Sequence, residues 1–363
     1  MGGMVAMAGR SLWAGLDTGA DTSRLCVIDE ALAPVLDTTI ASAPDAILDA
    51  LVPLGSAHIV EIAVEASDCA IPLARGLRDT GYRVILYEAR QVSRYLRIRR
   101  NKTDDNDARG LAELAKLQLP SMRPVYLKSP DTQRLRAKLQ FRQKLLRQRV
   151  TCENMIRALI RLHGGKVKSG RVAWTVERNV RAGLDALRSQ SGIDLSDDIL
   201  PLLSLTMAIR QFVERLDKEF LTIARAHPVC SRFLRIGGVG PICAISFYTA
   251  IEDPFRFVRA ADIGPYLGLT PRILQSGTSL RHGRISKFGN LLTRSHLVLA
   301  ATVAMQGETD GTPLKTWALA LADRAGRGKA RVALARRLAV IMLAMWKSGT
   351  AFDAMLPSPR AGA

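Results

Sequence analysis

The order of apolar runs in the first third of the chain places the strongest constraint on its fold. Three short runs come first, LWAGLD, RLCVID and PVLDTTI, and they predict successive strands in hairpin order. Two further runs, HIVEIAVE and YRVILYE, alternate with the helical patterns DAILDALVPL and IPLARGLRDTG. Strands that first follow one another and then alternate with helices predict a mixed α/β sheet.

A helical pattern dominates the rest of the chain. Residues 131–163 contain no proline or glycine, and apolar residues recur there at helical spacing, which predicts one long amphipathic helix. Further helices are predicted at about 196–226 and at 289–306, 313–325 and 328–348. The helix at about 196–226 could run antiparallel to the first long helix. We expect a mixed α/β domain at 1–128, a long-helix or coiled-coil region at 129–228 and a mainly helical domain at 229–363.

The chain is strongly basic. Its 363 residues include 52 Lys and Arg against 33 Asp and Glu, which gives a formal net charge of +19. Such an excess favours a polyanionic partner, either nucleic acid or an anionic membrane surface. The longest apolar run, LAVIMLAMW at 338–346, is about half the length of a bilayer span. Nucleic acid is therefore the expected partner, and no membrane association is expected.

The N-terminal residues and the cysteines indicate the cellular compartment. MGGMVAMAGRSLWAGLD has one arginine and no clean apolar segment, so no secretory signal is predicted. The cysteines form no C-x-x-C pair, which favours neither a zinc ribbon nor a disulfide framework; they stand at positions 26, 69, 152, 230 and 243. We expect a cytoplasmic protein with reduced cysteines.

At the polar positions of the predicted long helix, the charged residues form a stripe that is entirely basic. Because a solvated helix usually mixes both signs, this stripe favours contact with nucleic acid. Two alternatives are an ordinary solvated face and a helix that packs on acidic residues elsewhere in the chain. The basic residues of the stripe are Arg134, Arg136, Lys138, Arg142, Lys144, Arg147 and Arg149.

Four acidic residues occupy positions suited to a metal site. Asp17 and Glu65 each end an apolar strand, where a sheet presents ligands. Asp104 and Asp107 lie three residues apart on a predicted helix and so share a face. Gathered at one sheet edge, these carboxylates suit two Mg²⁺ (or Mn²⁺) ions acting on a phosphodiester. The alternative is a structural role, as helix N-terminal acids and turn formers.

The order of GLDTG, VEAS and NKTDDNDA resembles the N-terminal RuvC-like domain of the DEDD-type insertion-sequence transposases. A second block, from IGGVGP through DPFRF and ADIGPYLGLTP to GRISKFGN, resembles the C-terminal domain of that family. The resemblance implies that Asp17, Glu65, Asp104 and Asp107 are the metal-binding acids. One departure is EASDCA, since the family commonly has glycine shortly after the glutamate; Asp68 would crowd the site or add a ligand.

The same resemblance places a catalytic serine at Ser276, in LQSG. Its attack on DNA would give a phosphoserine linkage that keeps the phosphodiester energy, so strands could be rejoined without ATP. Ser279 and Ser286 are fallback positions, and His282 is expected to contact phosphate. From composition alone, this stretch also fits a Ser-Gly turn in a basic loop. Basic residues expected to contact nucleic acid near the serine and the acids are Arg272, Arg281, Arg284, Lys287 and Lys102.

The family includes RNA-guided DNA recombinases, so the resemblance implies donor and target DNA and a structured guide RNA from the element's flank. It also implies a homodimer that pairs into a tetramer, in which the metal site of one subunit meets the serine of another.

We interpret the chain as an insertion-sequence transposase. Three other functions fit part of the pattern: a RuvC-like nuclease or resolvase that hydrolyses DNA through the acids alone, an actin-like sugar kinase or ATPase suggested by GLDTGADTS, and a non-enzymatic nucleic-acid-binding protein.

A glycine-rich stretch, GGVGP, lies between two apolar helical patterns. It resembles the hairpin of a helix-hairpin-helix element, in which glycines let backbone N–H groups approach a phosphate. A plain turn between packed helices is an equally good interpretation.

Overall fold

The computed structural model describes residues 11–97, 104–276, 279–307 and 312–352. The chain divides into two units, Met1–Lys128 and Ser129–Ala363. Among the helices described, none combines the length and the apolar character needed to cross a membrane.

The first unit is built on a five-stranded mixed sheet with the order β3-β2-β1-β4-β5. Its strands are β1 (Leu12–Thr18), β2 (Thr22–Ile28), β3 (Pro34–Ala41), β4 (Ile59–Glu65) and β5 (Val84–Tyr87). The first three strands pair antiparallel, and β4 pairs parallel to both β1 and β5. The predicted mixed α/β sheet is confirmed, with β1 at its centre.

Helices cover both faces of the sheet in the first unit. They are α1 (Pro44–Leu51), α2 (Ala70–Asp79), α3 (Ala89–Leu96) and α4 (Asp104–Leu117). Alternate residues of β1 serve the two faces. Leu16 packs in one apolar cluster with Ile47 of α1 and Leu73 of α2, whereas Trp13 packs on the other face against residues of α4. α4 therefore lies on the face of β1 that carries the odd-numbered side chains.

In its described residues, the second unit is helical apart from one β-hairpin. Its helices are α5 (Pro130–Leu162), α6 (Ala173–Ser191), α7 (Ser196–Ala226), α8 (Pro228–Phe233), α9 (Pro241–Ile251), α10 (Ile263–Tyr266), α11 (Leu291–Gln306), α12 (Pro313–Ala325) and α13 (Arg327–Ser348). The hairpin consists of β6 (Pro271–Ser276) and β7 (Ser279–Ile285). The predicted long helix is confirmed; Ser129 caps it, since its Oγ accepts the Thr132 N–H at 3.3 Å. The sequence predicted neither α6 nor the hairpin.

α5 and α7 form an antiparallel pair. Near the start of α5, Lys138 forms an ion pair with Glu219 at the far end of α7, whereas Glu153, later in α5, binds Arg210. The phenyl rings of Phe141 and Phe212 meet edge-on between these pairs, with centroids 5.7 Å apart. The expected antiparallel return of the chain is thus confirmed.

Two apolar cores lie along this pair. Leu139 and Phe220 share the main core with Phe247 of α9 and Leu338 of α13. A smaller core joins the second half of α5 to α6 and the first half of α7, around Ile156. The helices on either side of residue 228 are thus packed in one unit.

A partly buried histidine makes the stability of the second unit depend on pH. Burial, with a smaller effect of the Arg142 charge, lowers the pKa of His296 in α11 to about 4. The ordinary value is about 6.5. Between these two values the unfolded chain binds a proton that the folded chain excludes, so stability falls as the pH falls. The expected loss is about 1 kcal/mol per pH unit at most. His296→Gln should reduce this slope in thermal or urea unfolding between pH 7 and 4.5; an unchanged slope would contradict the assignment.

Candidate active site

α4 approaches β1 very closely. A Cβ atom added to Gly15 of β1 would lie 2.0 Å from the Ala108 carbonyl oxygen and 2.2 Å from the Ala112 amide nitrogen. No side chain fits at these distances, so only glycine allows the helix backbone to pack here. This contact fixes the position of α4 on the sheet.

The beginning of α4 lies beside the end of β1. The Nζ atom of Lys116, in the last turn of α4, lies 5.4 Å from the centroid of the Trp13 ring near the start of β1, so the two elements run antiparallel. Asp17 lies two residues beyond Gly15, about 7 Å further along the strand. α4 begins at Asp104, one turn before the Gly15 contact. Asp17 and the first turn of α4 are therefore neighbours on one face of the sheet.

Glu65 ends the strand next to Asp17. β1 and β4 are parallel and paired up to the residue before each acid. Just beyond them, Thr18 Oγ1 and Ser67 Oγ are hydrogen bonded at 3.0 Å, and Ser67 Oγ also accepts the Ala70 N–H at the start of α2. These hydrogen bonds tie the two strand ends together, so the backbone brings both acids to one edge of the sheet.

The acids provide a donor set of the type that Mg²⁺ or Mn²⁺ prefers, since all are carboxylates. Asp17, Glu65 and Asp107 are partly buried, and Asp68 is exposed in the turn before α2. Among the described side chains, no group of three or more His, Cys, Asp or Glu residues is arranged to hold a metal ion. The side chain of Asp104 lies outside the described residues, as does the whole of Lys102. The backbone fits the predicted site, and the metal itself stays a prediction.

A second glutamate on β4, Glu61, was not predicted to matter. Its side chain is buried and is bound by the Tyr87 hydroxyl at 3.4 Å, by Gln118 Nε2 at 3.3 Å and by Arg83 Nε at 3.3 Å. Burial raises the pKa of Glu61, although Arg83 and the Tyr87 hydrogen bond oppose this; burial and the Glu61 charge raise the pKa of Tyr87 to about 12. Gln118 directly follows α4, so this cluster links the end of the helix to β4. The signal in the sequence was a charged residue inside an apolar strand.

In the second unit, Ser276 is the last residue of β6. Its backbone pairs in register with that of Ser279, the first residue of β7. The side chains of both serines and of His282 lie outside the described part of the structure. The predicted serine therefore lies in the last residue pair of a β-hairpin, directly before its turn. From the sequence alone, this stretch could also have been a simple loop.

The base of this hairpin is held by a buried arginine. The Arg294 side chain, 6% exposed, donates from Nη1 to the Leu267 and Phe288 carbonyl oxygens, each at 2.9 Å. Gly268 and Gly289 have φ values of +68° and +77°, and a Cβ atom at either would lie about 2 Å from backbone oxygen. The glycines of GLTP and KFGN thus let the two ends of the hairpin approach each other and the end of α10.

Replacing Arg294 with methionine is expected to loosen the hairpin and lower stability by about 2–4 kcal/mol, since two buried carbonyl groups lose their partner. Urea unfolding measures the loss, and hydrogen exchange of the β6 and β7 amides reports the loosening. Arg294→Lys should recover part of both effects because its ammonium group restores a positively charged hydrogen-bond donor. Wild-type exchange in Arg294→Met would contradict this role.

Four basic residues lie on or just beyond the hairpin, and all are exposed: Arg272, Arg281, Arg284 and Lys287. Arg281 pairs in register with Leu274, two positions before Ser276. Arg272 Nη2 donates to the carbonyl oxygen of Ser286, the residue directly after β7, at 3.2 Å. The hairpin is therefore a basic, solvent-facing element.

The GGVGP turn joins α8 to α9. Gly238 has a φ of +88°, and a Cβ atom there would lie 2.4 Å from the Ala300 carbonyl oxygen of α11. This close approach gives the glycine a packing role. Phosphate contact by this turn stays a prediction.

Two family models match the chain. One is described as a transposase, of the DEDD type of IS110, and matches residues 14–163; the other is described as the IS116/IS110/IS902 transposase family and matches residues 230–312. The first match includes the predicted acids and α5, and the second includes the hairpin. The chain belongs to the IS110 transposase family. Transposases are enzymes that act on DNA.

Relatives extend the similarity across both units of this transposase. The transposase for insertion sequence element IS1111A of Coxiella burnetii is 29% identical over 334 residues, covering 91% of this chain and 88% of that protein. The "Probable family 20 transposase" of Pseudomonas aeruginosa is 28% identical over 298 residues, covering 80% and 85%. The transposase for IS1328 of Yersinia enterocolitica is 26% identical over 301 residues, with the same coverage.

The basic stripe of α5 is partly neutralised in the transposase. Lys138 and Arg142 form ion pairs with Glu219 and Asp217 of α7, and Arg149 lies 3.6 Å from Glu153 within α5. These contacts match the alternative in which the helix packs on acidic residues. The other basic residues of the stripe differ in exposure: Arg134, Lys144 and Arg147 are exposed, and Arg136 is partly buried. Nucleic-acid contact by the stripe stays a prediction, with the three exposed residues as its best candidates.

Proposed function

We propose that this transposase cuts and rejoins DNA through a covalent intermediate between Ser276 and a DNA phosphate. The observation that carries the proposal is the hairpin: Ser276 is the last residue of β6, the exposed side chains of the hairpin include three arginines, and its base is held by Arg294. A nucleophile that attacks a phosphodiester needs a fixed position and nearby positive charge. The paired backbone of the hairpin and its exposed arginines support this role.

In the proposed step, Ser276 Oγ attacks phosphorus. An Oγ–P bond forms while the P–O bond to the departing sugar breaks, and the serine proton ends on that sugar oxygen. The number of phosphate ester bonds is unchanged, so the hydroxyl of a second strand can reverse the step without ATP. In such a reaction, the planar guanidinium group of arginine can donate two parallel hydrogen bonds to phosphate oxygens. Arg272, Arg281, Arg284 and Lys287 are proposed to hold the phosphate and offset its developing charge.

Asp17, Glu65, Asp104 and Asp107 are proposed to hold Mg²⁺ or Mn²⁺ on the first unit. When bound, the ion supplies Lewis-acid activation of a phosphate oxygen. The adjacent ends of β1 and β4, the nearby start of α4 and the DEDD type of the matching family model support this assignment. The strand order, three antiparallel strands followed by two parallel ones, supports a RuvC-like sheet.

Donor and target DNA, a structured guide RNA and assembly of homodimers into a tetramer complete the proposal. The net charge of +19 supports a nucleic-acid partner in general. On α5, the exposed Arg134, Lys144 and Arg147 are the residues proposed to contact it. Lys102 is proposed to contact nucleic acid next to the acids.

A trapping experiment tests the proposal. Wild-type protein on a nicked suicide DNA substrate should form a species that migrates as protein–DNA adduct in a denaturing gel. Ser276→Ala should form none, whereas Ser279→Ala, changed at the register partner, should still form it. A metal-dependent hydrolase would cut DNA without an adduct in all three proteins, and that result would overturn the proposal.

A further inference from the structure

A basic surface lies where α12 meets α13, and none of its residues belongs to the sites proposed above. We call it the α12–α13 basic turn and define it by four residues that are all exposed: Arg324, Arg327, Lys329 and Arg331. Asp323 is the one acid between residues 323 and 332. Both family-model matches, 14–163 and 230–312, end before this turn.

Two of these charges, at the start of α13, oppose the ordinary electrostatics of a helix. The N-terminus of a helix carries partial positive charge and favours acidic side chains. α13 has no acidic residue in its first turn, and its N-cap Gly326 contributes no side-chain hydrogen bond. Arg327 and Lys329 instead add positive charge there. The arrangement costs stability, so it indicates a role outside the fold.

The positive charge of the turn is not offset locally. Within the described part of the chain, none of the four residues takes part in an ion pair, in contrast to Lys138 and Arg142 of α5. Arg331 Nε donates to the Arg327 carbonyl oxygen at 3.4 Å, which holds its side chain over the first turn of α13. The turn therefore presents a concentrated positive field to solvent.

The composition of the turn favours one kind of polyanion. Proteins that bind single strands use aromatic side chains as stacking platforms, and residues 323–332 include no aromatic residue. A duplex instead offers dense phosphate charge at its surface. Because the family acts on DNA, we propose that the α12–α13 basic turn binds the phosphate backbone of duplex DNA without reading its sequence. This contact is independent of the chemistry proposed for Ser276.

Binding of full-length protein to a fluorescent DNA duplex of arbitrary sequence tests the inference. The variant combines Arg327→Gln, Lys329→Gln and Arg331→Gln. Its affinity should fall roughly ten- to several-hundred-fold at moderate salt, and its salt slope should become shallower by about two to three units. The matched control combines Arg181→Gln, Arg188→Gln and Lys218→Gln, which removes equal charge from exposed residues that pair with acids. It should change the slope by less than about one unit.

A charge reversal separates binding from folding. Arg327→Glu with Lys329→Glu places acids at the N-terminus of α13, so Tm should rise by a few degrees while DNA affinity falls. Unchanged DNA affinity in this variant, or equal losses in the first variant and its control, would overturn the inference. A loss seen with an RNA duplex but not with DNA would also overturn it. None of these measurements requires strand cleavage, so failure here is distinguishable from failure of the serine proposal.

Discussion

Asp17→Asn is expected to abolish strand cleavage and to leave the fold intact. The substitution keeps the shape of the side chain but removes the negative charge that a divalent ion requires. Asp17 is partly buried at the end of β1, outside the apolar cores, so the change costs little stability. Because a carboxylate ligand acts directly on the ion, we expect cleavage to fall by at least about 100-fold. Single-turnover cleavage in Mg²⁺ measures this, and Asp107→Asn should behave alike.

Asp21→Asn is the matched control for this prediction. Asp21 is an exposed carboxylate in the turn between β1 and β2, four residues after Asp17, and its variant should cleave like the wild type. A thermal melt of each variant establishes that the fold is kept. Full cleavage by both Asp17→Asn and Asp107→Asn, or by wild-type protein in excess chelator, would exclude the proposed metal site.

Ser276→Ala is expected to stop strand exchange while DNA binding persists. Removing a nucleophile typically costs a factor of at least about 10⁴ in rate. The change deletes one oxygen and alters neither the net charge nor the exposed arginines of the hairpin, so the affinity for DNA should stay within about twofold. Strand exchange on paired donor and target substrates gives the rate, and anisotropy gives the affinity.

Ser279→Ala again provides the control, because Ser279 is paired with Ser276 across the hairpin. Strand exchange by Ser276→Ala at the wild-type rate would exclude serine catalysis at this position. Loss of exchange in Ser279→Ala alone would keep the chemistry but move the nucleophile across the turn.

The sheet was predictable because its strands have short-range signals. Apolar runs bounded by turn residues gave five strands, and strand ends gave the positions of Asp17 and Glu65. The packing of α4 on β1 depends on Gly15, and the sequence offers no way to tell which glycine meets which helix. Glu61 has a weaker signal, a charge within a buried strand, but its partners Tyr87 and Gln118 come from other elements.

In the second unit, the hairpin and the partners of the basic stripe have no comparable short-range signal in the sequence. Most described side chains of the β6–β7 hairpin are exposed, so its strands lack the alternation of apolar and polar residues that marks a half-buried sheet. Its position depends on Arg294, 18 residues after Ser276, through hydrogen bonds that only the folded chain reveals. Similarly, the sequence shows only basic residues in the stripe on α5. The acids that pair with Lys138 and Arg142 lie on another helix, α7. The sequence left that alternative open, because the partner acids come from a different helix.

Mass spectrometry of the trapped adduct tests the central claim most directly. Trypsin should release residues 273–281, ILQSGTSLR, because Arg272 and Arg281 flank the stretch. After nuclease digestion of the adduct, this peptide should carry a nucleotide phosphate, and fragmentation should assign it to Ser276 rather than to Ser279. The peptide should be unmodified in Ser276→Ala. Recovery of only unmodified ILQSGTSLR from wild-type protein that has cut its DNA would contradict a serine–DNA intermediate.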